Sequence, residues 1–185
     1  MLKSDRVLYL DDLSWSRKGR THRTFISNGE IEIWLRVPVL TDDKKKSIRD
    51  VRIDHSEKWI SNFWKSLETV FSQETYFDHF EWEIKALLDQ AIGFEKLIDW
   101  NLFFFNKICS FLEVEIHYYF QSNMGLIEGP YYLETDSKNY LPQPEKLLSH
   151  SKIIDGYLNS QSILHLLFAF GPEFFNISDS INELK

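Results

Sequence analysis

The chain has 185 residues, of which 43% are hydrophobic, 16% aromatic and 26% charged, and these proportions predict a globular protein with one domain, residues 1–185. Its formal net charge is -7, which argues against a domain built mainly to bind nucleic acid, because such domains are usually basic. The single cysteine excludes a disulfide framework, and no apolar run approaches the roughly twenty residues that a membrane span needs.

The N-terminal third of the chain shows the two-residue period that is typical of β-strands. Asn28-Gly29 is a strong hairpin turn signal, so we expect the strands on either side of it to pair. Pro38 cannot donate a hydrogen bond to a neighbouring strand, which places its end of the hairpin at a sheet edge or a bulge. Thr41–Ser47 is interpreted as a charged, solvated loop. The predicted strands are Arg6–Asp12, Thr24–Ser27, Glu30–Leu40 and Ile48–Asp54.

After the fourth strand, apolar residues recur at the spacing of amphipathic helices. Ser56 or His55 is a candidate cap for the first helix. Val114–Phe120 alternates again and predicts a strand. The last helix is expected to end at Gly171-Pro172, a typical C-terminal signal. The predicted helices cover Trp59–Phe71, Phe77–Ala91, Phe94–Leu112 and Gln161–Phe170.

Two segments show neither the two-residue period of a strand nor the spacing of an amphipathic helix. Residues 123–144 are rich in glycine and proline and are interpreted as an irregular insert, with Tyr131–Glu134 as a candidate short strand; residues 174–185 are interpreted as a tail. Strands followed by helices, then one strand and one helix, predict a single α/β or α+β domain. In this domain a mixed β-sheet, with an N-terminal strand and a hairpin, is packed by about four α-helices.

The cellular compartment is predicted from two features. Cys109 lies in an apolar stretch, and we expect a buried side chain in a reducing compartment. Charged residues lie too close to the N-terminus to leave room for the apolar segment of a signal peptide. We therefore expect a cytoplasmic protein.

The candidate functional site is the pair of acids that ends the first strand, together with the basic loop Leu13–Arg23 that follows it. In α/β proteins, ligands bind beyond the carboxyl ends of strands. A carboxylate there can act as a general base or anchor a hydroxyl, a histidine can transfer protons near neutral pH, and the arginine fork fits phosphate or carboxylate. This pattern predicts a phosphorylated sugar or a nucleotide as the substrate. The candidate catalytic residues are Asp11, Asp12 and His22, and the candidate substrate-binding residues are Arg17, Lys18, Arg20 and Arg23.

A plainer interpretation stays open for these residues, in which Asp11 caps a turn and the basic loop is a solvated surface. Asp42-Asp43 beside Lys44–Lys46 is interpreted as a solubilising tip. His165 lies in an apolar helix, where we expect a hydrogen-bonded core residue. The chain has no His-x-x-x-His pair, no Gly-x-Ser-x-Gly elbow and no glycine-rich phosphate loop, so no metal site is predicted and any cofactor stays open.

Five segments read, in chain order, YLDDLSWSRKGRTHRTFI, WLRVPVL, HSEKWISNFWKSLETVFSQETYF, LIDWN and SILHLLFAFGPE. Together they resemble the WbqC-like family of bacterial proteins over about residues 5–173. The resemblance implies a cytoplasmic accessory enzyme of O-antigen and other surface-polysaccharide biosynthesis, a transferase that acts on an activated or amino sugar. Trp59, Phe77 and Asn101 match the family pattern as packing positions. The other matching positions are Asp11, Asp12, Arg23, Pro38, Ser162, Gly171 and Pro172.

The chain departs from the family pattern in three places. The family pattern begins upstream with another strand and a Gln-Pro-x-Tyr-x-Pro-like loop, so we expect this chain to be short at its N-terminus, as a fragment, a mis-started reading frame or a divergent form, with a bare sheet edge. His165 replaces an acid of the closing helix, and a Tyr-Ile-x-Gly-like segment is missing before that helix. These departures favour a second hypothesis, a non-catalytic member that binds partner proteins of the same pathway or forms a homo-oligomer.

Overall fold

The computed structural model describes residues 6–28, 30–43, 45–123 and 162–173. The predicted insert beyond Asn123, with its candidate strand Tyr131–Glu134, and the predicted tail at 174–185 lie outside these residues. None of the helices in the described ranges combines the length and apolar character that crossing a bilayer requires. The elements are β1 (Arg6–Tyr9), β2 (Arg23–Ser27), β3 (Glu32–Arg36), α1 (Trp59–Phe71), α2 (Phe77–Gln90), α3 (Leu97–Phe111), β4 (His117–Phe120) and α4 (Ile163–Phe170).

The four strands of the described residues pair as two ribbons. β1 and β4 run parallel, with Tyr9 opposite Phe120. β2 and β3 run antiparallel, with Arg23 opposite Arg36. The predicted mixed α/β class and the predicted hairpin are confirmed, but the strands do not join into one mixed sheet, because β3 contacts α1 instead of a further strand.

The hairpin is shorter than its apolar alternation predicts. The side-chain Oδ1 of Asn28 accepts hydrogen bonds from the backbone N–H groups of Glu30 and Ile31, at 3.1 and 2.9 Å, and so organises the turn. β3 then ends at Arg36, before the predicted end at Leu40. The next hydrogen bond along the chain joins the Val37 N–H to the His22 carbonyl. The hairpin therefore leads directly into the loop that carries the candidate site.

The predicted fourth strand, Ile48–Asp54, is wrong. Ile48–Asp50 forms a short 3-10 helix, and the next residues make isolated bridges to different parts of the chain. Ile53 is bridged to Val39, while Arg52 is bridged to Lys96. The alternation in the sequence reflects burial of the apolar side chains in the core, and no neighbouring strand forms a ladder with this segment.

The helices confirm the predicted apolar stripes. α1, α2 and α4 meet where Phe168 lies 4.9 Å from Phe71 and 5.4 Å from Phe77, between ring centroids. The ring of Trp100 in α3 packs edge-on against the ring of Trp59, with 6.1 Å between the ring centroids, and both rings are buried. Burying each such side chain contributes about 1.5–3 kcal/mol to stability. The core therefore lies where the helices pack against each other and against β3.

The predicted cap of α1 is also wrong. The Ser56 N–H and Oγ both bond to Asp54 Oδ1, at 3.0 and 2.6 Å. His55 Nε2 lies 2.9 Å from the Phe94 carbonyl. α1 begins after Lys58 with no side-chain hydrogen bond to its first turn. Both candidate caps are held by partners outside the helix, so neither is free to cap it.

His165 and Cys109 are buried as predicted. His165 Nδ1 lies 3.2 Å from the Ser162 carbonyl, and its Nε2 lies 2.8 Å from the Ser27 carbonyl and 3.1 Å from the Ser27 backbone N. A neutral ring with its proton on Nε2 donates to the Ser27 carbonyl, and one with its proton on Nδ1 donates to the Ser162 carbonyl and accepts from the Ser27 N–H. The ring also packs edge-on against Phe71 at 4.8 Å. His165 therefore ties α4 to the end of β2.

Replacing His165 by alanine is expected to lower the free energy of unfolding by about 2 kcal/mol, since it removes buried packing and the hydrogen bonding of the ring with Ser27. Burial lowers the pKa of His165 below its usual 6.5, so the contribution of the neutral ring is complete above pH 6.5 and is lost as the pH falls below it. Urea unfolding at pH 7.5 and pH 5 should therefore show a smaller difference at pH 5. His79→Ala, at an exposed histidine, is the control; an equal loss there would contradict the assignment.

Candidate functional site

Asp11 is held at the junction of the two parallel strands. It follows β1, while Ser122 follows β4, so the parallel pairing brings the two residues together. The Ser122 N–H and Oγ donate to the two carboxylate oxygens of Asp11, at 3.0 and 2.6 Å. Burial raises the pKa of Asp11, but the bonds from Ser122 act in the opposite direction and leave the pKa below its usual value. A charged carboxylate with both oxygens bonded is a weak base, and its geometry suits positioning of the loop.

Asp12 lies on the surface, and its carboxylate bonds to a different residue from the carboxylate of Asp11. Its carboxylate forms an ion pair with Arg49 at 2.8 Å, in which both side chains are partly exposed. The Arg49 backbone N–H also donates to the Asp11 carbonyl at 3.0 Å. The adjacent carboxylates therefore have separate partners.

The basic loop is organised by Arg23 and by α3. The Arg23 guanidinium donates to the carbonyls of Gly19 and Lys18, at 3.2 and 2.9 Å, and lies 4.5 Å above the Trp34 ring. Asn101 Nδ2 donates to the Thr21 carbonyl at 2.7 Å, beside His22. Asn101, predicted to be a packing position, is thus an anchor for the loop. Arg20 lies 5.8 Å from the centre of the Trp34 ring, and Lys18 is exposed.

A cavity of about 400 Å³ opens beside this loop, between β3 and α1. It brings together His22 and Arg17 of the predicted site. The other predicted residues are not among its lining residues: Asp11, Asp12, Lys18, Arg20 and Arg23. Its polar and aromatic walls include Trp15, Arg17 and His22 from the loop, Trp34 and Arg36 from β3, and Glu57, Trp59, Asn62 and Ser66 from α1 and the segment before it.

His22 is the buried titratable group of the cavity wall. It is 9% exposed, and the edge-to-face contact with Trp15 spans 5.1 Å between ring centroids. Burial lowers the pKa of His22 to about 4, with further lowering by the charges of Arg23, Arg36 and Arg17. The imidazole is therefore neutral at neutral pH, so one ring nitrogen can accept a proton.

Three buried polar atoms of the cavity walls have no hydrogen-bond partner among the described residues: His22 Nδ1, Trp15 Nε1 and Trp59 Nε1. Buried polar groups in proteins are nearly always bonded, because an unpaired one costs about 1–3 kcal/mol. Such groups gathered around one cavity are typical of a binding site. The described residues contain no cluster of three or more His, Cys, Asp or Glu side chains that could hold a metal ion.

Trp34, Arg36 and Asn62 line the cavity but were not predicted from the sequence. One signal could have identified the first two. On β3 they alternate with buried Leu35, so the predicted strand places both on the face opposite the core. Asn62 had no such signal, because its approach to the loop depends on how α1 packs.

Comparison with known proteins adds one finding. Residues 1–136 match the model of the WbqC-like protein family. This range includes β1 to β4, the basic loop and every residue that lines the cavity, while α4 lies beyond it. No curated protein and no solved structure matches the chain.

Proposed function

Because the chain belongs to the WbqC-like protein family, we propose that it is an accessory enzyme of bacterial surface-polysaccharide biosynthesis of the O-antigen type, a transferase acting on an activated or amino sugar. The observation that supports a small-molecule site is the cavity of about 400 Å³, whose walls hold a neutral histidine between arginines. Its volume falls within the range of about 300–1,000 Å³ that is common for small-molecule sites. A cytoplasmic location is part of the same proposal.

The cavity suggests a division of roles. The hydroxyl or amine of the acceptor attacks the activated carbon of the donor sugar, and His22 accepts the proton that this group gives up. The bond to the phosphate-containing leaving group breaks, and Arg17 holds the anion that departs. Lys18 and Arg20 add positive charge along the loop, which attracts an anionic sugar. Arg23 and Asp11 hold the loop in place through the contacts described above. Asp12, whose sequence pattern predicts a hydroxyl anchor, is paired with Arg49 at the start of the loop and is given no contact with a substrate in the cavity.

Replacing His22 by glutamine is expected to reduce turnover by about 10²–10⁴-fold, the usual effect of losing a general base. The wild-type rate should be constant above pH 5 and fall as the pH drops through about 4, because the protonated ring cannot accept a proton. His117→Gln, at an exposed histidine of β4, is the matched control. A rate for His22→Gln equal to that of this control would reject the catalytic role.

The first measurement for the enzyme proposal is thermal unfolding of the full chain with nucleotide-activated sugars and sugar phosphates. A ligand at about one hundred times its dissociation constant stabilises a protein by roughly 2.7 kcal/mol. A hit selects the substrate for the His22→Gln assay. Cooperative melting with no response to any sugar in the panel would count against the proposal.

A second candidate is a non-catalytic module that binds a partner protein or a second copy of the chain. It is favoured by Trp82 of α2, which is 74% exposed, and by Ile92 just beyond α2, which is 63% exposed. Exposed large apolar side chains are typical of interaction surfaces. Light scattering on the same sample distinguishes the candidates, because a monomer that binds and turns over a sugar excludes this module.

A further inference from the structure

Arg36 faces a like charge across the hairpin. β2 and β3 are paired so that Arg23 and Arg36 are directly opposite each other, which puts both side chains on the same face of the ribbon. Like charges at directly opposite positions destabilise an antiparallel pair. Arg17 approaches the same region from the loop, since it lines the cavity together with Arg36.

Within the described residues no carboxylate forms an ion pair with these arginines, although Glu57 lines the same cavity as Arg17 and Arg36. The ion pairs there include those of Arg49 with Asp12 and of Arg52 with Asp43, but none includes Arg17, Arg23 or Arg36. This is notable in a chain whose acidic residues outnumber its lysines and arginines by 28 to 21. The guanidinium of Arg23 bonds to loop carbonyls, which carry no charge to offset its own.

We propose that Arg36 and Arg17 bind a phosphate group of the sugar substrate, and that the bound phosphate removes the repulsion between Arg36 and Arg23. This inference rests on the proposed function. A phosphate fits better than a carboxylate because it carries up to two negative charges and offers acceptor oxygens to two arginine forks at once. The unpaired Trp15 and Trp59 indole N–H groups are further donors in the same walls.

The inference predicts effects of opposite sign for one substitution. Arg36→Ala should leave the melting temperature of the ligand-free chain unchanged or raise it, because a like-charge pair is removed. It should also weaken phosphate binding by about tenfold or more, because a charge-assisted contact is lost. A residue that only supports the hairpin would instead lower the melting temperature when replaced.

The test is thermal unfolding of the full chain in increasing inorganic phosphate, against sodium chloride of equal ionic strength. Wild type should be stabilised by phosphate more than by chloride. Arg36→Ala should lose this difference, while Lys107→Ala, which removes one exposed positive charge on α3, should keep it. Arg36→Lys retains the charge without the fork, and should keep the ligand-free melting temperature of wild type with a reduced phosphate response.

A phosphate response of wild-type size in Arg36→Ala would overturn the inference, and so would the absence of any phosphate response in wild type. Glucose 1-phosphate and uridine diphosphate glucose, used as further probes, distinguish a phosphate monoester from a diphosphate as the preferred group. Phosphate binding that depends on Arg36, without turnover of any sugar, counts against the proposed function alone. Sugar turnover that is unaffected by Arg36→Ala counts against this inference alone.

Discussion

Replacing Asp43 by alanine is expected to lower the free energy of unfolding by about 3 kcal/mol, because it removes several charge-assisted hydrogen bonds at one buried carboxylate. Asp43 is fully buried, so the prediction of a solvated loop over Thr41–Ser47 is wrong for this residue, whereas Asp42 and Lys45 are exposed. Its Oδ2 accepts from the backbone N and the Nε of Arg52, at 2.8 and 3.1 Å. Its Oδ1 accepts from Arg52 Nη2 at 3.1 Å and contacts Lys46 Nζ at 2.7 Å.

Urea unfolding of the variant tests this expectation, with Asp42→Ala as the control. Asp42 precedes Asp43 in the same short 3-10 helix but is exposed, so its replacement should change stability by no more than about 0.5 kcal/mol. If the two variants lost similar stability, the contacts of Asp43 would not be the cause.

The Asp43 carboxylate also predicts a pH dependence. The side-chain bonds from Arg52 hold the pKa of Asp43 well below its usual value of 3.8. The group therefore contributes full stability above about pH 4 and loses it as the pH falls further, because the unfolded chain takes up the proton first. Asp43→Asn should be less stable than wild type at pH 7, and the difference should shrink at pH 3.

Replacing Gly171 by alanine is expected to cost at least about 3 kcal/mol, since it adds a steric clash to backbone strain. Gly171 ends α4 with φ 53° and ψ -145°, a conformation that is essentially limited to glycine. A Cβ at this position would lie 2.8–3.0 Å from the Tyr76 ring. The Tyr76 backbone is held in place, because its N–H donates to the Phe168 carbonyl at 2.8 Å, and the ring itself packs beside His79 and Phe80.

The control for this variant is Gly93→Ala. A Cβ at Gly93 would meet no atom within 4 Å, and its backbone needs no positive φ, so we expect unchanged or slightly higher stability. Calorimetric unfolding of both variants measures the difference. Equal melting temperatures for the two alanine variants would show that the junction of α4 with α2 tolerates a side chain at Gly171.

The sequence by itself determines the helices and most strands of the described residues. Hydrophobic periodicity and turn- or cap-forming residues are sufficient to predict structure where the neighbours of a side chain in the sequence are also its neighbours in space. The apolar stripe of α1 marks its buried face, Asn28 marks the turn, and Gly171 marks the end of α4. Local order of this kind predicts which residues are buried, and it also placed the basic loop beside the end of β1.

The tertiary structure alone determines the contacts of the polar residues. Asp11 meets Ser122 across 111 residues, and Asn101 meets the Thr21 carbonyl across 80. For this reason the carboxylates of two adjacent acids, which look equivalent in the sequence, bond to different residues, Ser122 and Arg49. The same reason explains why the burial of Asp43 was not predicted. In the sequence it is one of several charged residues in a predicted loop, but in the structure it is buried against Arg52.

The cavity illustrates the same limit. It joins the loop, β3 and α1, and the predicted strand contains Arg36 without showing that Arg23 lies opposite it or that Arg17 approaches the same walls. Buried hydrophobic residues recur at a regular spacing in the sequence, because each turn of a helix and every second residue of a strand faces the core. The residues of a polar site have no such regular spacing, because each of their hydrogen bonds depends on the position of one partner that is distant in the sequence.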